Sequence, residues 1–170
     1  MTIKLHGYSV TCPKKMDTKD FRAIMGEDMK KVRAYLKDSE SLTDSYIQKL
    51  EVEFKKYLIA LKMSPNKPVV VTKSIDVFAH AFILHTDQCY KFSMKVFGTV
   101  LSHYPTKSDA ERKALTPYFK RSTYPFLVSL FGKEGVDREV WNPTEPICLG
   151  CTWMNGCDTI SQARILQSVA

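Results

Sequence analysis

Apolar residues recur at intervals of three and four over most of the first hundred positions, a period that predicts helices rather than strands. Asp17 or Thr18 can cap a first turn, and Phe21, Ile24, Met25, Val32, Tyr35 and Leu36 then fall mostly on one face, so a helix is expected to end near Asp38. Thr43 can cap a second, in which Tyr46, Ile47, Leu50, Phe54, Tyr57, Leu58 and Leu61 draw the clearest amphipathic stripe in the chain. Pro65 and Pro68 close it, because proline lacks an amide donor and biases its predecessor away from helix. Val69, Val70 and Val71 then read as a short extended connection. Ser74 can cap a third helix built on Ile75, Phe78, Ala79, Phe82 and Ile83. Thr86 can cap a fourth, which would bury Cys89, Tyr90, Met94 and Phe97 and stop at Gly98.

The second half is more broken. Ser108 and Glu111 have the spacing of a capping box and predict a fifth helix. Pro117 and Pro125 each suit a first helical turn, so residues 118–122 and 126–131 are expected as two short helices or one kinked one. Residues 1–16 carry no sustained period and read as an N-terminal arm; residues 141–170 form a Cys-containing tail, irregular until a last short helix near Thr159. The expected fold is mainly α: one domain over residues 1–170, an irregular helical bundle of about five to seven helices with a Cys-containing C-terminal loop.

Composition adjusts this picture in three ways. Lys and Arg number 25 against 18 Asp and Glu, a surplus of +7 that makes nucleic acid a conceivable partner. The lysines are interspersed with acids, as at Lys49, Lys55, Lys56 and Lys62, so solvated helix faces are the preferred reading and a protein partner the preferred contact. No window approaches the roughly 20 apolar residues of a membrane span, and Met1 to Cys12 lacks a signal-peptide pattern, so no membrane role is expected. Five cysteines, an odd number, fit thiols or metal ligands in a reducing compartment, and a cytoplasmic location follows as an expectation.

Chemistry concentrates in the run ICLGCTWMNGC. Cys148 and Cys151, two residues apart across a glycine turn, can converge on one tetrahedral ion, and Cys157 can reach it from the next turn. Zinc is the cofactor such soft ligands favour, with His103, His80, His85, Cys89 or Cys12 as the fourth ligand. Small buried thiols or a redox pair are the alternatives. His80 and His85 are five apart, about 500° around a helix, and do not share a face. No serine elbow, Cys–His arrangement or phosphate-cradling glycine loop is legible, so no catalytic residue is assigned, and a non-enzymatic or cryptically enzymatic domain is expected.

From Val70 to Pro105 the chain resembles the signature of glycine-rich-domain-containing-protein-like proteins. The matching residues are Thr72, Lys73, Ser74, Ile75 and Asp76, then His80, Phe82, Ile83, Leu84 and Thr86, then Tyr90, Phe92, Phe97 and Gly98, and lastly His103 and Pro105. Ala79 stands where that pattern has tryptophan, removing a large ring beside the histidine. The resemblance implies a helical fold with His80 and His103 as a pair, and supplies no reaction. Together these readings predict a helical macromolecular-interaction protein with a structural Cys/His zinc site. The alternatives are a basic nucleic-acid-associated protein and a metal-dependent enzyme using His80 or His103. His80→Ala is expected to cost more stability than His6→Ala, since His6 lies in the arm.

Overall fold

The N-terminal residues fold back on themselves. In the computed structural model, which describes residues 1–65, 67–103, 108–142, 144, 147–148 and 151–152, β1 (Thr2–Leu5) pairs antiparallel with β2 (Tyr8–Thr11). The tight turn between them holds His6 and Gly7 at positive φ, 51° and 84°. The expected arm is therefore a hairpin, and Val10 anchors it in the core.

α1 (Thr18–Met25) starts at Asp17, whose carboxylate accepts from the amides of Lys19 and Asp20. It stops at Gly26, and α2 (Lys30–Glu40) begins afresh, so the single helix expected to reach Asp38 is two. The break frees main-chain acceptors: the buried Lys55 ammonium donates to the carbonyls of Met25 and Glu27 at 2.9 and 2.7 Å.

α3 (Asp44–Met63), capped by the Thr43 hydroxyl, is the axis of the bundle. Every residue from 50 to 61 is buried, so the helix read as amphipathic is enclosed on all sides. Lys55 and Lys56, expected on solvated faces, are ion-paired inside: Lys55 with Glu51 at 3.0 Å, Lys56 with Glu53 at 2.5 Å. Glu51 also accepts from His6 at 2.8 Å and from Arg33, and Glu53 accepts from the Trp141 indole at 2.8 Å. Buried charges are tolerated only when paired and hydrogen-bonded, and these are.

β3 (Val71–Thr72) leads into α4 (Lys73–Leu84), and α5 (Thr86–Phe97) returns from it to Gly98 at φ 74°. Thr72 rather than Ser74 occupies the start of α4, and its hydroxyl donates to the Val140 carbonyl. β4 (Ser102–His103) follows, then α6 (Asp109–Tyr118), whose first turn is capped by Ser108 as expected, and α7 (Tyr124–Phe131). Pro117 and Pro125 do not separate α6 from α7. Residues 119–123 join them as a π-helical turn, and the wider turn falls where Pro125 has no amide to donate.

Two short ladders tie the tail to this frame: β5 (Ile147–Cys148) pairs with β3, and β6 (Cys151–Thr152) pairs with β4, both antiparallel. One hydrophobic cluster runs from Val10 of the hairpin to Trp141, which is fully buried and stacked on Phe119. The fold is mainly helical, an irregular bundle, and no described helix is long and apolar enough to cross a membrane.

Candidate metal centre

α4 carries two faces with different work. Ile75, Phe78, Ala79 and Phe82 enter the core, where Phe78 and Phe82 meet Phe54 of α3 at ring-centre distances of 4.9 and 5.6 Å. Lys73, Asp76, Val77, His80 and Leu84 follow the i, i+3, i+4 rule along the opposite stripe. Asp76 and His80 are one turn apart, so the helix itself juxtaposes a carboxylate and an imidazole. His103 joins them from β4, after α5 has reversed the chain.

The three groups converge. His80 Nε2 lies 2.6 Å from His103 Nε2, Asp76 Oδ2 lies 3.6 Å from His80 Nε2, and Asp76 Oδ1 lies 3.7 Å from His103 Nε2. One ligand atom from each falls within 4.8 Å of the others. Ligands held about 2.0–2.1 Å from a tetrahedral ion stand about 3.3 Å apart, so these separations bracket what one ion requires. Asp76 and His103 are mostly buried and His80 is half exposed. Asp76 Oδ1 is buried and accepts no hydrogen bond among the described residues. Burial pushes the His103 imidazole below its ordinary value, against the attraction of Asp76 and with the repulsion of His80, which favours the neutral ring that ligates metals.

The site is on the wall of a cleft of about 410 Å³ between α2, α4 and α6. Asp76 and His80 line it from α4, Tyr35 and Glu40 face them from α2, and Arg112 closes it from α6.

Of the residues expected to hold metal, the structure brings His80 and His103 together. His85 does not join them: its Nδ1 lies 2.8 Å from the Ala81 carbonyl and its ring stands edge-on to Tyr35. Cys12 is near the carbonyls of Pro13 and Met16, and Cys89 is buried against Ser93, so neither thiol converges on the cluster. Cys157 and Pro105 lie outside the described residues. Cys148 and Cys151 enter through backbone register only, Cys148 opposite Val71 and Cys151 opposite His103. Asp76 was legible as part of the family-like segment but not as a ligand, and the signal that finds it is the four-residue step to His80.

Fold and site together define a helical domain with an Asp/His/His cluster able to chelate a metal ion beside an open cleft. The chain belongs to the UCP032817-like family, whose pattern matches residues 17–123 and so spans all three residues of the cluster. No curated protein and no solved structure matches it.

Proposed function

We propose that this chain is a metal-dependent small-ligand-binding protein in which Asp76, His80 and His103 hold one divalent ion, zinc in type, with coordination positions left toward the cleft. The observation that carries this reading is the buried Asp76 Oδ1, an acceptor with no hydrogen bond among the described residues, in a cluster where one ligand atom of each of Asp76, His80 and His103 lies within 4.8 Å of the others. A carboxylate oxygen left so costs about 1–3 kcal/mol or more, and a cation on the three groups removes that cost. Two nitrogens and one oxygen suit zinc, and three protein ligands are the number found where the fourth position serves a ligand or substrate. Bound there, the ion supplies a Lewis acid at the cleft wall.

A small ligand takes precedence over the protein or nucleic-acid partner suggested by sequence because the convergent groups open on a concave site. The test is cobalt titration of untagged protein. One equivalent is expected to bind with visible ligand-field bands, and Asp76→Asn, His80→Ala and His103→Ala should each weaken it by tenfold or more. Unchanged affinity in all three variants refutes the centre.

A further inference from the structure

We infer, resting on the metal reading above, that β5 and β6 form a clasp coupled to the ion: occupation of the centre tightens the clasp, and loss of the ion loosens it. The ground is where the two ladders fall. Cys148 and Cys151 are three positions apart in the chain, yet β5 pairs with Val71 and Thr72 while β6 pairs with Ser102 and His103, some thirty positions further on. β3 runs directly into α4, which carries Asp76 and His80, and β4 carries His103 itself. By main-chain pairing the clasp therefore reaches both halves of the centre.

The ion joins the same two halves through side chains, Asp76 and His80 on one and His103 on the other. Two links that close the same span of chain favour each other, because the first to form has already removed the freedom that the second would have to remove. Each ladder pairs only two residues with two, and strand pairing on that scale is marginal without support.

α4 has its support in Phe78 and Phe82, packed on Phe54, so the half that responds is β4 and, through β4, β6. Ligation of His103 restricts β4 to the position from which it pairs with β6. The chain leading to the clasp is anchored independently, by the Thr72 hydroxyl on the Val140 carbonyl at 2.7 Å and by the Trp141 indole on Glu53 at 2.8 Å. Loosening is thus confined to the ladders. Linkage makes the coupling reciprocal: a docked clasp raises the affinity for the ion by the factor with which the ion favours docking, commonly about 5–150-fold between coupled sites.

The experiment measures amide hydrogen exchange by NMR on the full chain, metal-free and loaded with zinc, which is diamagnetic. The amides of β4 and β6 are expected to slow by about tenfold or more with zinc, while those of β1 and β2, a ladder that shares no residue with the centre, slow less than about twofold. In Asp76→Asn the slowing should vanish, which ties the effect to the centre. In the reverse direction Thr152→Pro removes a ladder amide and holds φ away from the strand value, and it should weaken zinc binding by about tenfold with the helical circular dichroism unchanged. Zinc binding that depends on Asp76 but leaves β4 and β6 exchanging as before overturns the clasp alone. Slowing that persists in Asp76→Asn, or zinc affinity unchanged in Thr152→Pro, does the same. Zinc affinity unchanged in Asp76→Asn, His80→Ala and His103→Ala overturns the clasp together with the metal centre.

Discussion

Replacing Glu51 by glutamine keeps the shape of the side chain and removes one buried charge, and the structure sets what that costs. Glu51 and Lys55 are each 1% exposed and pair at 3.0 Å in the middle of α3. The carboxylate also accepts from His6 at 2.8 Å and from Arg33, so three elements meet on it. In Glu51→Gln the Lys55 ammonium keeps the carbonyls of Met25 and Glu27 and loses the carboxylate it pairs with, leaving the charge of Glu27 as its remaining attraction. Removing one partner of a buried ion pair costs about 3–5 kcal/mol. At about 2–4 °C per kcal/mol for a chain of this size, the melting temperature should fall by roughly 6–20 °C at pH 7. Circular-dichroism melts measure it. The double variant Glu51→Gln/Lys55→Met removes the stranded charge as well and should recover roughly half of the loss. Acid adds a second reading of the same group. Burial alone would raise the Glu51 carboxyl, but the charge of Lys55 and the hydrogen bonds from His6, Lys55 and Arg33 outweigh it and hold the folded value below 4.5. Its contribution is thus complete above 4.5 and lost as pH falls through the folded value. A fall of less than about 3 °C, or a double variant no better than the single, would refute the reasoning.

Two further substitutions test the same interior. His6→Ala removes a hydrogen bond to a charged, buried acceptor and should cost about 1.5–3 kcal/mol in urea unfolding. His80→Ala in metal-free protein should cost less than about 1 kcal/mol, because His80 is half exposed; this reverses the order expected from sequence. Glu53 behaves oppositely to Glu51: burial outweighs Lys56 and the Trp141 indole and lifts its carboxyl above 4.5. Its contribution is complete below 4.5 and lost as pH rises through the folded value. The deficit of Glu53→Gln should therefore shrink as pH rises from 4.5, while that of Glu51→Gln grows as pH rises toward 4.5, and urea midpoints between pH 3 and 7 will show whether the slopes differ in sign.

Local signals in the sequence carried the helices well where a cap or a breaker acted alone. Thr43, Ser108 and Gly98 do what their side chains or backbone freedom predict. The misreadings share a cause. A three-and-four period sees which residues are apolar, and it cannot see that Glu51, Glu53, Lys55 and Lys56 neutralise one another across the faces of α3. The same blindness put His6 in a loose arm, because its partner is 45 positions away. It also joined α1 to α2, since the carbonyls at the break are claimed by Lys55 from another helix. His80 and His103 were placed together by a motif; Asp76, the third member, shares a helix with His80 and needed only the step of four.

What separates the interior charges from those of the cleft is satisfaction. On α3 each buried carboxylate or ammonium meets enough partners to be held in one place, which is the condition under which such groups persist as structure. On α4 the helix of Asp76 is held just as firmly, because Phe78 and Phe82 fix its opposite face against Phe54, yet one oxygen of the carboxylate accepts no hydrogen bond among the described residues. A rigid backbone that keeps an acceptor in a costly position, with a ligand nitrogen of each of two imidazoles within 4.8 Å, could hold a cation with little rearrangement. His103 is the less firmly held member, since it rides on a two-residue ladder between β4 and β6 rather than on a packed helix. If cobalt binds as proposed, His103 is the member expected to adjust to it, with Asp76 and His80 keeping their places.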